Sequence, residues 1–230
     1  MIPTFDRREV PALTTDQMRE VDRGMIEDLH IELIQMMENA GRSLAELALV
    51  RFAPVTVTVL AGPGGNGGGG LVAARHLVNR GRTVSVVLSE PDSLTPVPAH
   101  QADILARMGA VMTAVPPGAD LVVDALIGYS LRGDPTGRAA ELIQWANQQP
   151  APVLALDAPS GLDVTTGIAG TPHVQATATL TLALPKIGLI DAPAVGELYL
   201  ADISVPAILY LRMGLTPPNL FRDNGIISLG

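Results

Sequence analysis

The 230-residue chain contains no cysteine, so disulfide frameworks, thiolate zinc sites and cysteine nucleophiles are excluded. Aromatic residues make up only 3%, which leaves recognition by base stacking with few platforms. Positive charge is also scarce, with 15 Lys and Arg against 23 Asp and Glu and a net charge of −8. An acidic surface repels phosphate backbones and anionic bilayers, which disfavours a general nucleic-acid or membrane-surface binder. No apolar run approaches the roughly 18 residues of a membrane span. The N-terminal stretch, with Asp6, Arg7, Arg8 and Glu9, has no apolar segment resembling a signal peptide. These absences predict a soluble, cytoplasmic protein with neither nucleic acid nor membrane as a partner. What the chain does have is apolar content: 47% hydrophobic against 17% charged, enough for one sizeable core.

Two helices are expected over about 14–52. Thr14 and Gln17 stand at capping-box spacing, and Met18, Val21, Met25 and Leu29 recur at helical period. Leu33, Met36, Met37, Ala40, Leu44 and Leu47 form a second apolar face, in which the methionine pair reads as core packing. Gly41 within it costs about 1 kcal/mol relative to Ala and marks a close approach to the backbone, by a crossing helix or by a ligand. From Val55 onward, β-branched runs alternate with helical patterns. Strands are expected at Val55–Ala61, Thr83–Leu88, Leu121–Asp124 and Pro152–Leu156, and helices around Leu71–Val78, Ala99–Met108 and Arg138–Asn147. That alternation predicts βαβ units around a parallel sheet covered on both faces. Thr177–Ala183 and Glu197–Asp202 read as further strands, followed by a short helix from Pro206. Nothing divides residues 1–213, so a single domain is expected, with 214–230, carrying Pro217-Pro218, as an extended tail.

The strongest local signal is Gly62-Pro63-Gly64-Gly65-Asn66-Gly67-Gly68-Gly69-Gly70, between an expected strand and an expected helix. Bare backbone N–H groups at a helix start are a way of holding phosphate without cationic side chains. A P-loop is excluded, because Gly70 and Leu71 occupy the positions that need Lys and Ser or Thr. Gly62, Gly64 and Gly67 satisfy G-x-G-x-x-G, with Glu90 following the next strand where a ribose-binding acid belongs. A Rossmann dehydrogenase is therefore one reading, and a glycine connection with no ligand is another.

A third reading uses more of the chain. Gly62–His76 (GPGGNGGGGLVAARH) resembles the glycine loop of the YjeF N-terminal domain family, the NAD(P)H-hydrate epimerases, whose pattern runs Gly-Pro-Gly-Asn-Asn-Gly-Gly-Asp-Gly before an LVAARH-like helix. Leu33–Arg42 (LIQMMENAGR) is similar to the family helix ending in Met-Glu-x-Ala-Gly, and Val123–Gly133 (VDALIGYSLRG) to its Asp-Ala-Leu-Phe-Gly-Thr-Gly-Leu-x-Gly. Asp157–Gly167 (DAPSGLDVTTG) resembles Asp-Ile-Pro-Ser-Gly-Leu-Asp-x-x-x-Gly, and Leu184–Leu189 and Ala201–Pro206 complete the ordered set. The matching loops at 62–69, 125–134 and 157–167 all follow expected strands, so in a parallel sheet they leave one edge and can converge on one ligand.

The resemblance implies a three-layer α/β/α, Rossmann-like domain with a mostly parallel sheet, commonly a homodimer, acting as an isomerase on a small-molecule dinucleotide, the hydrate of NADH or NADPH. It implies one potassium ion per chain held by Asn66, Asp124 and Ser160, whose amide, carboxylate and hydroxyl oxygens are the hard donors an alkali cation takes. The family's dinucleotide contacts map to Gly65, Asn66, Gly67, Gly68 and Gly69, to Gly128, Tyr129, Ser130, Leu131, Arg132, Gly133 and Asp134, and to Asp157. Arg132 and Lys186 would offer charge to a phosphate. The chain departs from the pattern at Gly65 and Gly69, which stand where the family has Asn and Asp, and at Tyr129 and Ser130, which stand in the Gly-Thr-Gly turn. With no side chain at 69, Asp157 is the remaining acid/base candidate in the matching loops. A non-catalytic nucleotide-binding or scaffold protein on the same fold is the alternative.

Overall fold

A computed structural model describes residues 2–222 and 224–230. After a two-residue strand, β1 (Thr4–Phe5), the capping box at Thr14 closes from both sides. The Thr14 hydroxyl accepts the Gln17 N–H at 3.2 Å, and the Gln17 side-chain oxygen accepts the Thr14 N–H at 2.9 Å. This starts helix α1 (Thr15–Arg23), and α2 (Leu33–Leu47) follows, burying Met36, Met37, Ala40 and Leu44 as its periodicity predicts. The alternating region gives β2 (Thr56–Ala61), α3 (Gly65–Asn79), β3 (Thr83–Leu88), α4 (Pro96–Arg107), β4 (Val111–Met112), β5 (Leu121–Ala125), α5 (Gly137–Asn147) and β6 (Val153–Leu156). Then come β7 (Ala178–Leu182), β8 (Glu197–Ala201), α6 (Ala207–Arg212) and β9 (Ile226–Leu229).

The strands form one sheet in the order β1-β9-β8-β7-β6-β5-β2-β3-β4, parallel throughout except for the β8–β9 pair. Side chains alternate across it. Val57, Val59 and Ala61 of β2 and Val123 and Ala125 of β5 pack with α2 and α3 on one face. Leu60 and Val122 pack with Leu142, Ile143 and Ala146 of α5 on the other. Helices on both faces of a parallel sheet make the three-layer α/β/α domain.

The structure departs from expectation in the tail and in the glycine stretch. The tail at 214–230 ends in β9, which pairs with β8 and β1 and buries Ile226, Ile227 and Leu229. Four residues carry little local signal; backbone pairing on both sides fixes them. The glycine stretch is loop only as far as Gly64, and α3 begins at Gly65 instead of after Gly70. Tertiary fit overrides helix propensity here. A Cβ on Gly67 would lie 1.8 Å from the Gly62 carbonyl oxygen, and one on Gly70 would lie 2.5 Å from the Ala125 Cβ. Gly41 is the helix-crossing alternative: a Cβ there would meet the Val72 Cβ at 2.4 Å and the Gly69 carbonyl at 2.5 Å.

Candidate active site

β2, β5, β6 and β7 are adjacent and parallel, so their carboxyl ends lie together, with Ala61 opposite Ala125 and Asp124 opposite Ala155. Between β2 and β5 the chain order reverses, which is the switch point where open α/β sheets place ligands. A cavity of about 220 Å³ opens there. Its walls come from the α3 start (Gly65, Asn66), the loop after β5 (Gly128, Tyr129, Ser130), the ends of β6 and β7 (Leu156, Asp157, Leu182) and the N-terminal helices (Met18, Asp22, Met36, Met37).

Asp157 follows the last residue of β6 in a left-handed conformation, φ 67°, which Asp tolerates better than most residues. Its N–H still binds the Leu180 carbonyl at 2.8 Å, so the residue stays tied to β7 while its carboxylate turns toward the cavity. One carboxylate oxygen accepts the Tyr129 N–H at 2.9 Å, and the other pairs with the Lys186 ammonium. Lys186 is fully buried and also donates to the Thr181 hydroxyl at 3.2 Å and the Leu182 carbonyl at 3.1 Å. It is therefore committed to Asp157, which corrects the expectation that it meets a phosphate. Leu13 bridges the backbone on both sides of Lys186, its N–H to the Pro185 carbonyl at 2.8 Å and its carbonyl from Ile187 N–H at 3.0 Å.

Asp124, the penultimate residue of β5, has no exposed surface. One oxygen accepts the Ser160 hydroxyl at 2.6 Å and the Leu126 N–H at 3.2 Å, and the other accepts the Ser160 N–H at 2.8 Å. The Ser160 oxygen in turn accepts the Ile127 N–H at 2.9 Å. Asn66 lies beside Gly128, and its buried side-chain NH₂ has no hydrogen-bond partner. Burial pushes the Asp124 carboxyl up to about 6, against the Ser160 and Leu126 hydrogen bonds that pull it down. The folded chain thus keeps a proton that the unfolded chain, with an ordinary value of 3.8, has released. The resulting penalty is absent below about pH 4 and complete above about pH 6, at about 3 kcal/mol. In potassium-free buffer, urea unfolding from pH 4 to 7 should show wild type losing about that much stability relative to Asp124→Asn.

Of the dinucleotide positions read from sequence, Gly65, Asn66, Gly128, Tyr129, Ser130 and Asp157 line the cavity. Gly67, Gly68 and Gly69 are buried within the first turns of α3, with the Gly68 Cβ position facing Val97 of α4 at 3.5 Å. A side chain at 69 would start 2.7 Å from a Leu156 methyl; in this chain leucine fills that space. Leu131 is half-buried, Arg132 and Gly133 are exposed, and Asp134 accepts the Thr171 N–H at 2.9 Å. Glu90, the ribose acid of the dehydrogenase reading, is exposed and outside the cavity wall. Sequence reasoning missed Asp22, whose carboxylate accepts the Tyr129 hydroxyl at 2.5 Å, and the pairing role of Lys186. The second had a signal, since Lys186 is the only lysine in a chain that otherwise uses arginine.

A parallel sheet with helices on both faces and a carboxylate-bearing cavity at its switch point defines a Rossmann-like α/β domain. The family model described as YjeF-related protein N-terminus matches residues 33–188, and the chain belongs to that family. It is 44% identical to the NAD(P)H-hydrate epimerase of Dehalogenimonas lykanthroporepellens, over 92% of this chain and 89% of that protein. It is 37% identical to the NAD(P)H-hydrate epimerase of Rhodopirellula baltica, over 86% of each. The bifunctional NAD(P)H-hydrate repair enzyme Nnr of Salinibacter ruber is 37% identical over 90% of this chain, which spans 43% of that protein. The crystal structure of yeast ynu0 superimposes with a TM-score of 0.86 over 96% of this chain at 22% identity, a likeness of fold.

Proposed function

We propose that the chain is an NAD(P)H-hydrate epimerase, an isomerase that inverts the hydroxylated ring carbon of hydrated NADH and NADPH. The observation that carries this reading is the meeting, in one cavity, of the α3 start with the Asp157 carboxylate. Gly64 caps α3 without a side chain, and the N–H groups of its first turn, directed along the helix axis toward its N-terminus, are the anion site this reading assigns to the pyrophosphate. The hydroxyl of the hydrate sits on a carbon beside the ring nitrogen, so its departure leaves a cationic iminium. Asp157, with its charge oriented by Lys186 and the Tyr129 N–H, faces that developing charge and stabilises it.

Potassium at Asn66, Asp124 and Ser160 belongs to the same reading. The donor chemistry fits: Asp124 is a buried carboxylate with no cationic side chain paired to it among the described residues, and Asn66 brings an amide oxygen beside Gly128. The ion would supply a fixed positive charge that neutralises Asp124 and pins the loops after β2, β5 and β6. A homodimer and a cytoplasmic location accompany this reading. Ile208 and Leu211, exposed on α6, offer apolar surface to a second copy; sedimentation tests the dimer and cell fractionation the location.

The test is chromatographic assay of R-to-S interconversion of hydrated NADH, with potassium or choline as the cation. Interconversion that is faster with potassium, and a potassium response lost in Asp124→Ala, is the expected result. Hydrate that binds without interconverting would instead favour the non-catalytic binding protein.

A further inference from the structure

The cavity wall carries two carboxylates, Asp22 and Asp157, in opposite surroundings. Asp157 is balanced by the Lys186 ammonium, and both of its oxygens are engaged. Among the described residues Asp22 pairs with no cation, and its one hydrogen-bond donor is the Tyr129 hydroxyl, at 2.5 Å. Asp22 is half-buried on α1, where a carboxylate costs more than one in water. Burial pushes its carboxyl up, the Tyr129 bond pulls it down, and nearby Asp157 raises it while Lys186 lowers it. Two carboxylates that share a cavity but differ in partners are the usual basis for dividing acid/base work from charge work.

We propose that Asp22, steered by Tyr129, is the proton-exchanging group of this site, and that Asp157 acts through its charge. The inference rests on the epimerase reading. Protonated Asp22 gives its proton to the hydroxyl oxygen as the C–O bond breaks. The ring-nitrogen lone pair closes the C=N bond of the iminium, and water is released. Water then adds to the opposite face of that carbon, the C=N electrons return to nitrogen, and the proton returns to the Asp22 carboxylate. The sum is inversion with no net change in atoms, electrons or protons. Tyr129 reaches Asp22 by its hydroxyl and Asp157 by its N–H, so one residue sets the spacing of both carboxylates.

The charged and titratable groups facing Asp22 are Tyr129 after β5, Asp157 after β6 and Lys186 after β7, with Arg19 on α1 acting on Tyr129. The experiment compares wild type, Asp22→Asn and Tyr129→Phe in the hydrate assay from pH 5 to 9, with urea unfolding of each. Asp22→Asn should lower kcat by about 100-fold or more, leave KM within a few-fold and abolish the fall of kcat toward high pH. Tyr129→Phe removes a bond that favours ionised Asp22, so the falling limb should move to higher pH, with a smaller loss of kcat. If Asp22→Asn does not fold, the Tyr129→Phe shift alone decides. An Asp22→Asn variant that retains kcat, or a Tyr129→Phe profile identical to wild type, overturns the assignment. A wild-type chain that does not interconvert the epimers overturns the epimerase reading instead, and the role of Asp22 with it.

Discussion

Lys186→Met is expected to lower the unfolding free energy by about 3–5 kcal/mol, the usual cost of stripping one partner from a buried ion pair. Against the roughly 5–15 kcal/mol that holds a domain together, a loss of that size brings the chain close to unfolding at ambient temperature. The methionine replaces the stem of the side chain but not its ammonium, so the loss is electrostatic: Asp157, 4% exposed, is left without its cation. The Thr181 hydroxyl and Leu182 carbonyl lose a donor as well. Urea denaturation checks the magnitude. The double variant Lys186→Met with Asp157→Asn should recover most of the loss, because Asn tolerates φ 67° and brings no charge to bury. If the double variant is no more stable than Lys186→Met, the ion pair is not what Lys186 contributes. Because Lys186 is the only lysine, selective ¹⁵N labelling gives a single ammonium signal that reports the pair directly.

The sheet was legible because its strands are β-branched runs at regular spacing, and α1 because Thr14 and Gln17 announce its first turn. Both signals are local. β9 was not legible, since Ile226–Leu229 becomes a strand only through partners far away in sequence. The first turns of α3 were misread for a related reason. Gly67–Gly70 each cost about 1 kcal/mol of helix propensity, and only the closeness of Gly62 to Gly67 and of Ala125 to Gly70 shows why no larger residue fits at those two positions. In the site, Asp124, Asp157 and Ser160 are singled out by the motifs that resemble the family, which lie at or just after strand ends. Asp22 is not, because along α1 it is one carboxylate among Asp16 and Glu20. Its place in the cavity comes from how α1 docks, with the Leu13 bridge to Lys186 beside its first turn. Sequence spacing finds residues that share an edge; it does not show which helix-borne side chain lies above them.

Asp157→Asn should reduce kcat by about 100- to 1,000-fold while leaving KM within a few-fold. The asymmetry follows from when the charge matters. The hydrated ring is neutral on binding and turns positive only as the C–O bond breaks, so a carboxylate facing it stabilises the transition state more than the bound substrate. Asn preserves the backbone conformation and an oxygen for the Tyr129 N–H, which isolates the charge. It also leaves the Lys186 ammonium buried and unpaired, so part of any loss in a crude assay would reflect unfolding. The double variant with Lys186→Met separates the two effects. There the buried charge is gone from both partners and the fold recovers, yet nothing faces the iminium. Activity per folded molecule should therefore stay low in the double variant although its stability returns. If Asp157 served only as counter-ion to Lys186, removing both would restore turnover along with stability.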